Sequence, residues 1–184
     1  MSTRAFLNGI VDMLRKPKNQ GGAGIVHGEC GLAPVSGRPP AGVGEKYAGV
    51  WAGARSTEEM ENGIYEVYSA IITVTYRITG RVPWDRIGTD IMVAASGGMC
   101  EFTDNIRWVI GRDFWDQSTL RACNAHIPGG EDGFTTGLRF GGDTVVRPVS
   151  GEWFHARAEE VGIVADLRFS GMVRAQRFAG NDAY

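Results

Sequence analysis

The stretch Tyr65–Ile78 constrains the fold more than any other part of the chain. Tyr68, Ala70, Ile72, Val74, Tyr76 and Ile78 fall on one side of an extended backbone, and Val67, Ser69, Ile71, Thr73, Thr75 and Arg77 on the other. A two-residue period predicts a β-strand, because successive side chains of a strand point to opposite faces. The run is longer than the usual five or six residues, and its second face mixes apolar and hydroxyl groups. The pattern therefore predicts a long strand covered on one face and partly covered on the other, ended by Gly80 and Pro83.

The segments around it supply what such a strand needs. Residues 2–15 place Phe6, Ile10, Met13 and Leu14 on one helical stripe, with Ser2 or Thr3 as N-cap and Pro17 as the stop. Between Gln20 and Gly53 there are ten glycines together with Pro34, Pro39 and Pro40, which excludes a regular helix. This segment reads as a long loop or arm. Its apolar residues, among them Ile25, Val26, Leu32, Val35, Val43, Tyr47, Val50 and Trp51, would gain stability by lying across a surface of the same subunit or of another copy.

Helical spacing returns with Met99, Phe102, Ile106, Val109 and Ile110, ending at Gly111, and a second short helix is expected around Phe114, Trp115 and Leu120, before Pro128-Gly129-Gly130. Strands are predicted over Phe134–Phe140 and Thr144–Val149, joined as a hairpin by Gly141-Gly142-Asp143, and over Trp153–Arg157. Val161, Ile163, Ala165, Leu167 and Phe169 alternate with Gly162, Val164, Asp166, Arg168 and Ser170, giving a second long strand that runs past Gly171 towards Phe178. This order predicts a single α+β domain over residues 1–184: a mainly antiparallel sheet with an N-terminal helix and one or two further helices packed on it, plus the Gly-rich arm.

Composition narrows the function classes. With 43% hydrophobic and 22% charged residues the chain lies near globular averages, which removes whole-chain disorder. A balance of 19 Lys+Arg against 21 Asp+Glu gives a net charge of -2, so no overall attraction to nucleic acid or anionic lipid is expected. Only Lys16, Lys18 and Lys46 are lysines, and the sixteen arginines that remain suit bidentate, partly desolvated contacts of the kind interfaces use. Cys30, Cys100 and Cys123 are odd in number and far apart, unlike a disulfide framework. No run of about eighteen apolar residues is present. The first sixteen residues lack the apolar core and cleavage site of a signal peptide, so a chain folded in cytosol with reduced thiols and no membrane contact is expected.

Chemical motifs are sparse. The Gly-rich GGAGIVHG (Gly21–Gly28) lacks the Gly-Lys-Ser/Thr ending of a P-loop and does not join a strand to a helix. His27-x-x-Cys30 and Cys123-x-x-His126 could furnish a Cys2His2 set for zinc, but zinc modules usually carry a C-x-x-C knuckle, and buried apolar cysteines with loop histidines are the ordinary alternative. His27, His126 and His155 have no nucleophile-elbow serine or signature cysteine beside them. The clusters Glu58-Glu59-Met60-Glu61, Glu131-Asp132 and Glu159-Glu160 read as solvated charge on turns or helix ends. No catalytic, cofactor-binding or metal-binding residue is therefore assigned. Arg81-Val82-Pro83-Trp84-Asp85-Arg86 is either a turn in which Asp85 pairs with an arginine or a contact hot spot, and Trp51, Trp153, Phe154, Arg168, Arg174 and Arg177 invite the same two readings.

Taken together, the N-terminal helix, the strand Tyr65–Arg77, the Val82-Pro83-Trp84-Asp85-Arg86 turn and the closing strands from Trp153 to Phe178 resemble the tail-terminator and tail-completion (neck) proteins of long-tailed bacteriophages. The resemblance is one of pattern over most of the chain and rests on no invariant motif. It implies a structural virion subunit with no enzymatic activity and no cofactor, made in the host cytoplasm and built into the tail or neck. It also implies a ring of copies, commonly a homohexamer, whose strands join across subunits around a channel that DNA could pass through. Adjacent tail-tube and connector proteins would be its partners. An arm longer than the simplest members carry suggests an added contact to an adjoining ring. The alternatives are a small-ligand binding protein or hydrolase of α+β type, with Trp and His residues lining a pocket, and a connector whose arginines line a DNA path.

Overall fold

The amphipathic stripe at the N-terminus forms helix α1 (Thr3–Arg15), which buries Phe6, Ile10, Met13 and Leu14 on one side and leaves Arg4 and Asp12 in solvent. The computed structural model describes residues 3–61, 63–78, 98–129, 133–142, 144–150, 153 and 161–174. Among them, six strands make one sheet: β1 (Cys30–Leu32), β2 (Lys46–Met60), β3 (Gly63–Ile78), β4 (Phe134–Phe140), β5 (Val145–Ser150) and β6 (Val161–Arg174). Their order is β1-β2-β3-β6-β4, with β5 also on β6; β1 pairs with β2 in parallel and every other pairing is antiparallel. The chain is α+β, as its element order predicts.

Helices cover one face of the sheet. Helix α1 packs there with α2 (Met99–Gly111), the single turn α3 (Asp113–Asp116) and α4 (Ser118–Asn124). Tyr68, Ala70, Ile72 and Val74 of β3 lie beside Ala165, Leu167 and Phe169 of β6, all essentially without solvent contact. Phe6, Tyr68 and Phe134 form an aromatic triangle with ring centroids 5.9, 5.1 and 5.4 Å apart. Close approach of α1 to α4 requires a glycine: a Cβ on Gly9 would stand 2.3 Å from the backbone of Cys123.

Three sequence expectations need correction. The arm does not extend from Gln20 to Gly53 as one irregular segment. Ala23, Ile25 and Cys30 enter the core, Cys30–Leu32 is β1, and everything from Lys46 onward is β2. What remains, Ala33–Glu45, begins as a strap across the second sheet face of its own subunit. Gly37 there adopts φ +68°, in the left-handed region that favours glycine, and a Cβ on it would meet Thr73 Oγ1 at 2.7 Å.

The second correction concerns the hairpin expected at Gly141-Gly142-Asp143: among the described residues, β4 and β5 do not pair with each other. Residues of β4 pair with the C-terminal half of β6 and residues of β5 with its N-terminal half, both antiparallel. They run end to end along one edge, and the Gly141 N–H donates to Arg168 O at 2.6 Å across the break. A fourteen-residue β6 offers a single edge long enough for both, so pairing with it replaces pairing with each other. The third is the placing of the Glu58–Glu61 cluster: its residues are exposed and Glu61 is on a turn, as expected of solvated charge, but Glu58, Glu59 and Met60 lie in strand β2, paired with Tyr65, Ile64 and Gly63 of β3. The Arg81–Arg86 turn and Phe154–Arg157 lie outside the described residues, as does the continuation of β6 beyond Arg174.

Candidate functional site: two unlike sheet edges

Strands β2 and β3 make a hairpin of 15 and 16 residues, and its two ends differ in surroundings. At the base, Tyr47–Val50 are buried; from Ala54 to Glu61 every residue is exposed. Strand β1 accompanies β2 only from Ala48 to Val50, with Ala33 N–H donating to Val50 O at 2.9 Å, so among the described residues no strand pairs with the outer edge of β2 beyond that point. A β-bulge separates the halves, since Ala52 faces Ala70 while Arg55 faces Tyr68. The Ser69 hydroxyl donates to Ala54 O inside the bulge, and a Cβ on Gly53 would collide with it at 2.4 Å. Bulges bend a strand and increase its twist, which re-aims the outer half.

The outer half carries its own polar network. Arg55 Nη2 pairs with Glu66 Oε2 at 2.5 Å, the Tyr68 hydroxyl donates to the same oxygen at 3.0 Å, and the Arg55 guanidinium lies 4.8 Å from the Tyr68 ring centre. The hydrogen bond from Arg55 holds the Glu66 carboxyl below the usual carboxylate range. Beyond this network come Glu58, Glu59 and Glu61 with no intervening cation, and with Met60 and Ile64 partly exposed.

The opposite edge is formed by β4 and β5 and is of different chemistry. Arg139, Phe140, Val146 and Arg147 are exposed along it. Arg107 of α2 stacks over the Phe140 ring at 4.5 Å and Arg139 over the Phe114 ring at 4.9 Å. Trp115 meets Phe114 edge-on at 5.2 Å and is itself 83% exposed. The α3–α4 turn beneath is pinned by Asp113, whose Oδ1 accepts the Thr119 N–H at 2.5 Å and the Leu120 N–H at 3.1 Å, while Oδ2 accepts the Leu138 N–H of β4 at 2.7 Å. Burial raises the Asp113 pKa above its ordinary value, with these three amides pulling the other way. No sequence motif marks Asp113; a carboxylate before a short helix, read as a cap, is the only signal that could have found it.

The candidate zinc ligands do not come together. Cys123 is buried under α1 and donates through Sγ to Phe6 O at 3.2 Å, whereas Cys30 sits at the other end of that helix, its carbonyl accepting from the Arg15 guanidinium. His126 faces Asp12 across 2.6 Å and His27 is exposed. Among the described residues no group of three or more His, Cys, Asp or Glu side chains could hold a metal. Desolvation pushes the Cys30 thiol up to about 12 and the Cys123 thiol higher still, so both behave as core residues. A groove between α1 and α4 is lined by Asp12, Met13, Arg15, Lys16, Ser118 and Arg121, without the convergent apolar enclosure of a ligand pocket.

Trp51 is accounted for inside the subunit. Its indole N–H donates to Thr73 Oγ1 at 2.9 Å, and the Thr73 hydroxyl donates to Asp166 Oδ1 at 2.5 Å, a ladder across β2, β3 and β6 beneath the strap. Trp153 lies 4.9 Å from the Arg38 guanidinium and 5.1 Å from that of Arg147. Neither a protein-family model nor a curated protein matches this chain.

Proposed function

We propose that the chain is a structural subunit that closes into a ring in the neck or tail of a long-tailed bacteriophage, as a tail terminator or head–tail joining protein. The observation that carries this reading is a single sheet whose two edges, the outer half of β2 and β4–β5, differ in chemistry and have no further strand paired to them among the described residues. Rings need two different faces on every copy, because a head-to-tail contact joins one surface to another. Unpaired strand edges are also a liability that proteins manage by blunting, charging or covering them. The sequence resemblance adds the setting and the expectation of six copies around a channel.

The test is the solution mass of the purified chain across concentration, by light scattering coupled to size exclusion, with negative-stain images of the same fractions. A closed oligomer, or tubes built from stacked rings, is the expected result. A strict monomer at every concentration, with a small molecule or stoichiometric metal retained, would instead place the chain among ligand-binding or catalytic proteins.

A further inference from the structure

We infer that the acidic outer end of the β2–β3 hairpin docks on the aromatic–arginine patch around Arg107, Arg139, Phe114 and Trp115 of a second copy of this chain. The inference rests on the ring-forming reading and supplies the contact that reading leaves unspecified.

Charge selects the two surfaces. From Thr57 to Ile64 the hairpin carries Glu58, Glu59 and Glu61 and no basic residue, and Glu58 faces Tyr65 while Glu59 faces Ile64, so both sides of the ribbon present a carboxylate. The patch presents Arg107 and Arg139, each stacked on an aromatic ring. Stacking leaves the in-plane N–H donors of a guanidinium outside the stack and orders its long side chain in advance, which suits bidentate carboxylate recognition. Arg112, which precedes α3, is already paired with Asp116 at 3.1 Å.

Both surfaces also expose large apolar side chains, as the subunit does elsewhere at Val26 and Val35. Phe114 and Trp115 are 46% and 83% exposed, and Met60 and Ile64 at the hairpin end are 43% and 38% exposed. Large apolar side chains gathered in one place on a surface mark contact sites, and Trp and Arg are among the residues enriched at their energetic centres. One subunit cannot satisfy both surfaces by itself. The hairpin belongs to β2 and β3, the patch lies past β6 at the other edge, and the pairing of β3 with β6 over fourteen residues holds them apart. The contact is therefore head-to-tail between copies, the arrangement that closes into a ring.

The experiment is charge exchange in the full-length chain. Glu58→Arg with Glu59→Arg makes a hairpin variant, and Arg107→Glu with Arg139→Glu a patch variant. All four positions are exposed, and thermal melts of each variant establish that it is folded. Each variant alone is expected to associate at least about tenfold more weakly than wild type, since like charges then meet at the contact. Mixed in equal amounts they should recover oligomers of wild-type mass with the two variants alternating, because each reversed hairpin then meets a reversed patch. The milder pair Glu58→Gln with Glu59→Gln, which keeps shape and removes charge, should weaken association several-fold should the reversed variants fail to fold. Variants that assemble like wild type, or a mixture that stays apart as its components do, would overturn this contact while leaving ring formation by wild type intact. A wild-type chain that stays monomeric would overturn both.

Discussion

The two ends of one hairpin show what this fold uses its residues for. At the base, β2 and β3 are sandwiched: Val50, Ile72 and Val74 face the helices without solvent contact, while Thr73 and Thr75 lie buried on the other face. At the outer end the same two strands keep their pairing as far as Met60↔Gly63 but carry exposed glutamates and half-exposed apolar side chains. Backbone pairing is thus common to both ends, and burial is confined to one. An isolated two-stranded ribbon is marginal in water, so the outer end is held by β6, which accompanies β3 as far as Tyr65, and by the Arg55–Glu66–Tyr68 network. The difference separates stability, located at the base, from the recognition proposed for the tip.

That separation predicts unequal costs for the same chemical change. Ile72→Ala should destabilise the subunit by about 2–5 kcal/mol, the range for truncating a fully buried aliphatic side chain. Ile64→Ala, at 38% exposure, should cost about 1 kcal/mol or less. Urea titrations of the two variants check this, and equal costs would break the distinction between base and tip.

Next in size is Asp113→Asn, whose single amide oxygen can replace only one carboxylate oxygen, so that with Thr119 and Leu120 still served the Leu138 N–H faces an NH2 donor; the change should cost about 1–3 kcal/mol, the penalty for a buried unpaired donor. The pH dependence has a definite sign. A carboxyl whose folded pKa is raised lets the folded state keep a proton that the unfolded chain releases. The wild type therefore loses stability as pH climbs from the ordinary carboxylate value to the raised one. The asparagine variant should lack that slope in denaturation series run across this window.

Two of the sheet's three long strands, β3 and β6, and its first helices were legible in the sequence because their periods are local. Tyr65–Ile78 and Val161–Ser170 alternate without interruption, and Met99–Gly111 keeps helical spacing to its terminal glycine. Long-range pairing was not legible. Gly141-Gly142-Asp143 has the chemistry of a tight turn, and only the length of β6, twenty residues later, decides that β4 and β5 lie end to end instead. Strand β2 was hidden for a related reason. Its inner half is glycine-rich because Gly49 lies under Ala33 and Gly53 against Ser69, close approaches that depend on tertiary neighbours. Its outer half reads as charge because it is exposed, with no strand beside its outer edge among the described residues. Of the candidate surfaces, the tryptophans and arginines were visible as contact material, but which of them face outward was not: Trp51 is tied to Thr73, whereas Trp115 is exposed.

Thiol chemistry offers a check of intermediate size on the same core. Cys30 and Cys123 are buried and their thiols are pushed up by desolvation, whereas Cys100 is only half-buried on α2. Thiolate is the reactive form, so a native chain should show one thiol reacting readily with a neutral alkylating reagent and three after denaturation. Mass spectrometry of the fast product should locate it at Cys100. Fast labelling of Cys30 or Cys123 would mean that the helical layer opens more easily than its packing implies.

The smallest effect bears on the tip. Glu66 is held ionised by Arg55, with both side chains substantially in solvent, 51% exposed for Arg55 and 28% for Glu66. Exposed pairs contribute about 0.2–1 kcal/mol, screened by salt, so Glu66→Gln should cost no more than that at neutral pH. Because the folded pKa is lowered, this contribution is present above the unfolded carboxylate value and is lost as pH falls through the folded one. The wild-type and variant stabilities should therefore converge in acid. A double-mutant cycle with Arg55→Gln isolates the pair from the Tyr68 hydroxyl, which bonds the same carboxylate oxygen. A coupling of several kcal/mol would show that the outer hairpin is a stabilised part of the fold in its own right. A coupling near zero, combined with a loss of assembly in the same variants, would show that Arg55 and Glu66 orient the tip for a partner and hold little of the subunit together.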